Sequence, residues 1–184
     1  MTELASRDQL RGSLLRWALV LVPGVLLLGI LSGQLAGSGA ENPWFADLAK
    51  PALFPPPAVF GIVWTILYAL MGFALAMVAS ARGAQWRLAA LIMFAVQLAL
   101  NLAWTPLFFA AHQIVAAFVL IVVLDIAVIG TIILFYLVRP VAALLLAPYL
   151  LWALFATALT WQFHEANPDA DGKNVSGASV RVQI

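Results

Sequence analysis

Between Trp17 and Phe163 the sequence is occupied by long apolar runs separated by short polar turns. A hydrocarbon core is crossed by about 20 consecutive apolar residues in helical conformation, and five runs reach that length: 17–35, 58–81, 88–111, 114–138 and 141–163. In lipid every backbone N–H and C=O must be paired inside the chain, which a helix does within a single run. Composition agrees: 65% of the 184 residues are hydrophobic, 9% are charged, and the mean hydropathy is +1.04. A soluble domain of this size would lack the polar surface to cover itself. The reading is an all-α integral membrane bundle of five transmembrane helices, flanked by a polar extension over 1–16 and a polar, disordered tail over 167–184.

Charge sets the orientation. Arg7, Arg11, Arg16, Arg82, Arg87 and Arg139 fall on the side of the N-terminus, whereas Lys50, Lys173 and Arg181 fall on the other. The positive-inside rule then places the N-terminus in the cytoplasm and the loop between the first two spans outside. A second reading of the first run stands beside this one. A basic flank, an apolar stretch and the small residues Ala36 to Ala40 also resemble a signal peptide, although the run is longer than most signal cores, which favours a retained helix. The net charge of +1 gives no basic face for nucleic acid, and the absence of cysteine excludes disulfides and thiolate sites.

The loop from Asn42 to Pro57 carries Pro43, Pro51, Pro55, Pro56 and Pro57, which fix their own φ, lack N–H donors and push the preceding residue toward extended geometry. This stretch is therefore expected to hold no regular helix. It is either a stiff, aromatic-bearing lid or a simple re-entry turn.

Three spans carry polar and aromatic stripes. At about 100° per residue, Gln97, Asn101, Trp104, Thr105 and Phe108 share one face of the third span. Ala95, Ala99 and Ala103 lie nearly opposite, the small-xxx-small pattern that lets two helices approach closely. That ridge serves either a homodimer or packing within the chain. Tyr149, Trp152, Ala153, Ala156, Thr160 and Phe163 share a face of the fifth span, and Phe60, Trp64, Tyr68 and Met71 recur at helical spacing in the second. Such aromatics are ordinarily core packing, and Gln97 and Asn101 could be interhelical hydrogen-bonding glue. Three stripes with polar handles in one small bundle also describe a cavity for a large, flat, mostly apolar ligand. Asp125 is the lone charge inside a span; Ile121, Val122, Val128 and Ile129 around it offer no partner. Two histidines at span ends and no cysteine make no metal cluster, and no nucleotide loop or catalytic triad is present.

Four blocks in order carry a resemblance: Trp44-Phe45 with Lys50-Pro51 and Pro55-Pro56; Phe60, Trp64-Thr65, Tyr68 and Met71; Gln97, Asn101 and Trp104-Thr105-Pro106; and Pro148-Tyr149, Trp152 and Phe155-Ala156-Thr157. Over roughly residues 17–166 the chain resembles the TspO/MBR family, the bacterial tryptophan-rich sensory proteins and the mitochondrial translocator protein. The resemblance implies a five-helix bundle, commonly a homodimer, with a cavity beneath the 36–57 loop. It implies porphyrins (protoporphyrin IX, haem) as ligands with no required cofactor, and also sterols such as cholesterol and synthetic benzodiazepine-type ligands. By the same resemblance Trp44, Phe45, Pro55, Gln97, Asn101 and Trp152 contact ligand. Trp64 and Trp152 match tryptophans implicated in light-dependent oxidative breakdown of protoporphyrin; a transporter of porphyrins or other lipophiles is the further alternative. With Trp64, Tyr68, Trp104 and Tyr149 from the stripes, these residues form the candidate ligand set. The chain departs from the pattern at Leu53-Phe54, where many relatives carry Trp, and at Thr160, where Asn is usual. Trp161-Gln162-Phe163-His164 also lacks the tyrosine and base of the sterol segment, and Leu134 to Arg139 satisfies only the loose form of it.

Overall fold

The computed structural model describes residues 7–173, and all regular structure among them is α-helical. The elements are α1 (Arg7–Leu35), α2 (Pro43–Asp47), α3 (Pro57–Ser80), α4 (Arg87–Phe109), α5 (Ile114–Val138), α6 (Pro140–Leu145) and α7 (Ala147–Ala166). Five helical segments are long and apolar enough to cross a membrane, α6 and α7 together forming the fifth. This is an integral, multi-pass membrane protein. Its outer face is apolar, with Leu27, Ile62, Val119, Ile126 and Leu151 all exposed, as expected where the solvent is lipid.

Four features differ from the sequence reading. Residues 7–16, assigned to a polar extension, continue α1 without a break. Arg, Gln and Leu are good helix formers, and polarity fixes where the helix leaves the hydrocarbon rather than where it starts. The loop expected to lack helix contains α2. Asn42 caps it, its side-chain oxygen accepting from the Phe45 N–H at 2.9 Å, and Pro43 occupies the first turn, where a missing N–H costs nothing. The fifth span is two helices meeting at Leu146, because Pro148 cannot donate to the carbonyl four residues back and its ring crowds that position. Past α7, residues 167–173 form turns that pack on the loops, where a disordered tail was expected. Residues 1–6 and 174–184 of the two polar ends lie outside the described residues.

α1 packs mainly on α3, α4 on α5, and α5 also on α6 and α7. One core cluster fills the end nearest the Arg82 and Arg139 turns, built on Met71, Val78, Phe94, Val128, Phe135 and Tyr149. A second, aromatic cluster of Trp44, Phe45, Phe108 and Phe163 sits at the other end, under α2. The α1–α3 seam depends on Gly72, where a Cβ would lie 2.7 Å from the Val22 Cα. Replacing Gly72 with valine should therefore cost about 1–3 kcal/mol of overpacking, visible as a lower melting temperature in detergent. Gly24→Ala, with nothing within 4 Å of the new methyl, should not lower it. Equal melting of the two variants would place the tight contact elsewhere.

Candidate ligand cavity

The half of the bundle under α2 holds a cavity of about 450 Å³. Its walls follow helical periodicity. α3 presents Phe60, Trp64 and Tyr68 at four-residue spacing, α4 presents Asn101, Trp104, Thr105 and Phe108, and α7 presents Trp152, Ala156, Thr160 and Phe163. α1 closes the fourth side with Leu26, Gly29, Ile30 and Gly33, and α5 contributes Ile121 and Leu124. Small residues create the space. A Cβ on Gly29 would overlap the Tyr68 ring, so only glycine lets that ring lie against α1, while Ala153 and Ala156 leave the α7 wall recessed.

The floor is polar and closed by a directional chain of hydrogen bonds. The Tyr68 hydroxyl donates to Asn101 Oδ1 at 2.8 Å, Asn101 Nδ2 donates to the Tyr149 hydroxyl at 3.1 Å, and that hydroxyl donates to Gln97 Oε1 at 3.0 Å. All four residues are buried, Tyr149 completely. The chain ties α3, α4 and α7 together, and in a low-dielectric interior each bond is strengthened while any lost partner is costly. Nearer the rim, the indole N–H groups of Trp104 and Trp152 are buried without a hydrogen-bond partner. Both residues line the cavity, which leaves two donors for a ligand's acceptor atoms.

The loop over the cavity is built as a cover. Phe45 and Phe54 line the space below it. Trp44 stacks on His112 at 4.6 Å between ring centroids and meets Phe108 edge-on at 5.5 Å. The Lys50 ammonium folds back onto the carbonyls of Phe45, Ala46 and Leu48 and lies 4.5 Å from the Phe45 ring centroid. Partial burial pulls its pKa below the ordinary lysine value, with Asp47 acting in the opposite direction. Asn42 Nδ2 donates to the Phe109 carbonyl at 3.1 Å. Asn167, just past α7, makes two bonds to the backbone of Ala49, at 2.8 and 3.0 Å.

Of the residues singled out in the sequence, Phe45, Trp64, Tyr68, Asn101, Trp104 and Trp152 line the cavity. Trp44, Pro55, Gln97 and Tyr149 do not. Gln97 lies one turn beyond Asn101, below the hydroxyl floor, where it and Tyr149 serve as interhelical glue; Trp44 is turned into the His112 stack. The structure adds Gly29 and Gly33, whose GxxxG spacing in the first span was the signal for a close helix approach, and Phe54. Asp125 finds the partner its own helix lacked: the Thr157 hydroxyl on α7 donates to Oδ2 at 2.7 Å and also contacts the Ala153 carbonyl at 3.0 Å.

A sequence profile of the TspO/MBR family matches residues 19–165, most of the chain. The chain belongs to the TspO/MBR family. Among its relatives, the human translocator protein is 38% identical over 136 residues, covering 73% of this chain and 80% of the relative. The tryptophan-rich protein TspO of Chlorobaculum tepidum is 40% identical over 129 residues, 68% and 80% of the two chains. The tryptophan-rich sensory protein of Cereibacter sphaeroides is 37% identical over 138 residues, 73% and 85%. The first helical turns of α1 and the Asn167 clasp lie outside the span matched to the TspO/MBR family.

Tyr149→Phe keeps the ring and removes only the hydroxyl, leaving Asn101 Nδ2 and Gln97 Oε1 without their bonds. It should cost about 1–2 kcal/mol, read as a lower melting temperature in detergent than for the parent or for Trp161→Phe on the outer surface. An unchanged melt would mean that water replaces the hydroxyl without loss.

Proposed function

We propose that this membrane protein binds porphyrins, protoporphyrin IX and haem among them, in the cavity under the 36–57 loop and acts in tetrapyrrole handling or sensing. Family membership supports a sensory or transport role in general, since relatives are named translocator and sensory proteins. The observation that carries the finer reading is the wall itself. Trp64, Tyr68, Trp104 and Trp152 surround one space of a size within the about 300–1,000 Å³ typical of small-molecule sites. Aromatic faces stack a flat macrocycle, and the two unpaired indole N–H groups suit its carboxylate or carbonyl oxygens. Sterols and other lipophiles would use the same apolar wall with less for the indole donors to do.

A second reading rests on Trp64 and Trp152 lining that one cavity. Indoles in contact with a light-absorbing macrocycle are placed to take part in its oxidation by dioxygen. In this reading the protein assists a photochemical degradation of its ligand. Association is a separate proposal. Ala95, Ala99 and Ala103 are all exposed on the outer face of α4, as a homodimer ridge requires.

Titration with protoporphyrin IX in the dark should quench tryptophan fluorescence saturably, and Trp152→Ala should weaken the apparent affinity about tenfold, as loss of a stacking and donor residue of roughly 1–3 kcal/mol would. Quenching that does not saturate would remove the porphyrin reading. Under illumination, Trp64→Phe and Trp152→Phe that bind normally yet degrade porphyrin slowly would support the second reading; degradation at the parental rate would eliminate it. For association, Ala99→Phe should convert the detergent-solubilised dimer to monomer, and an unaltered mass would move the interface off this ridge.

A further inference from the structure

At the opposite end of the bundle from the cavity, the turn after α3 and the α5–α6 turn face each other across an open groove of about 440 Å³. Its walls are apolar, formed by Met77 and Ala81 on one side and Val138 and Val141 on the other, and Arg82 and Arg139 stand at its margin. We infer that this groove is a binding site for the phosphate headgroup of an anionic glycerophospholipid, with the first carbons of its acyl chains lying along the apolar walls.

Three observations point there. First, neither guanidinium is engaged: among the described residues, neither Arg82 nor Arg139 makes a side-chain hydrogen bond or faces a carboxylate within ion-pair distance. Arg87, close by in sequence, donates its Nε to the Ala79 carbonyl at 3.0 Å. α3 and α5 both end at this groove, and cations at helix C-termini are favoured by the macrodipole. A capping role would set the guanidinium groups on the terminal carbonyls, and they are not on them. Second, planar guanidinium groups with fixed donor forks match phosphate oxygens, and the groove brings one from each of its two turns to a single site. Third, the apolar walls belong to span ends that continue into the hydrocarbon. A soluble phosphate has no use for such walls, whereas a lipid needs both parts. The groove lies on the arginine-rich side, which the charge bias assigns to the cytoplasmic leaflet, where anionic lipids produce a negative surface potential.

The test is native mass spectrometry of the delipidated full-length protein titrated with phosphatidylglycerol, phosphatidylcholine or inorganic phosphate. Phosphatidylglycerol should bind more tightly than phosphatidylcholine. Arg82→Gln with Arg139→Gln should weaken it roughly tenfold or more, with the melting temperature held. Arg11→Gln with Arg16→Gln removes the same charge from the same side and should leave binding within about twofold, as expected of a specific rather than a diffuse charge effect. Val141→Trp, which fills the groove from an exposed position and keeps both arginines, should reproduce the loss even if the arginine pair impairs folding. Equal loss from the two arginine pairs would mean diffuse electrostatics and overturn the site. So would equal binding of the two lipids, undiminished binding to Val141→Trp, or full displacement of the lipid by inorganic phosphate.

Discussion

Inside a bilayer no water is available to satisfy a polar group, and the layout of this bundle follows from that constraint. The backbone meets it by forming helices. Ser80, Thr131 and Thr160 meet it on carbonyls of their own helices, and other buried polar side chains by finding one another across helices. Tyr68, Asn101, Tyr149 and Gln97 come from three spans and form one continuous run of donors and acceptors. Their pairing fixes the relative rotation of α3, α4 and α7, because a turn of any one helix would strand its partners. Its upper members, Tyr68 and Asn101, form the cavity floor. Above it the aromatic walls continue on the same faces, so the interaction that sets helix rotation also sets which rings face the space.

The cover obeys a related rule. A loop of many prolines has few donors to satisfy, and the carbonyls it leaves are collected by side chains. Lys50 gathers three of them, and Asn167 reaches across from beyond α7 to take the carbonyl and the N–H of Ala49. The Trp44–His112 stack and the cluster around Phe45 and Phe108 supply the apolar half of the closure. The loop is thereby attached to α4, to the α4–α5 turn and to the segment after α7, although in sequence it touches only the first two spans.

The two ends of the molecule differ in what they leave unpaired. At the cover end the unpaired groups include the indole donors of Trp104 and Trp152 beside an aromatic cavity. At the arginine end they are guanidinium groups beside an open groove with apolar walls. The two proposals give each pairing of a free donor with an apolar surface its own amphiphile: a flat ring system inside the bundle, a lipid headgroup on its flank.

By itself the sequence determined the fold class, the five spans and the family, because run length and the four aromatic blocks are local properties that survive without tertiary context. It also determined the faces: the 3.6-residue period placed Trp64 with Tyr68, Asn101 with Trp104, and Trp152 with Ala156. Local chemistry that was legible but overridden by its setting includes Pro43, read as a breaker yet sitting in the first turn of a capped helix, and Pro148, which divides the fifth span. What the tertiary structure alone decided is depth along each face and the partners across helices. Periodicity gives an angle around the axis but not the height at which a neighbour stands, so nothing local separates Asn101, at the cavity floor, from Gln97, one turn below it. Nor does it pair Asp125 with Thr157, or Asn167 with Ala49, 118 residues away. Those distinctions arise only when five helices are packed together, since a hydrogen bond between helices belongs to no single stretch of chain.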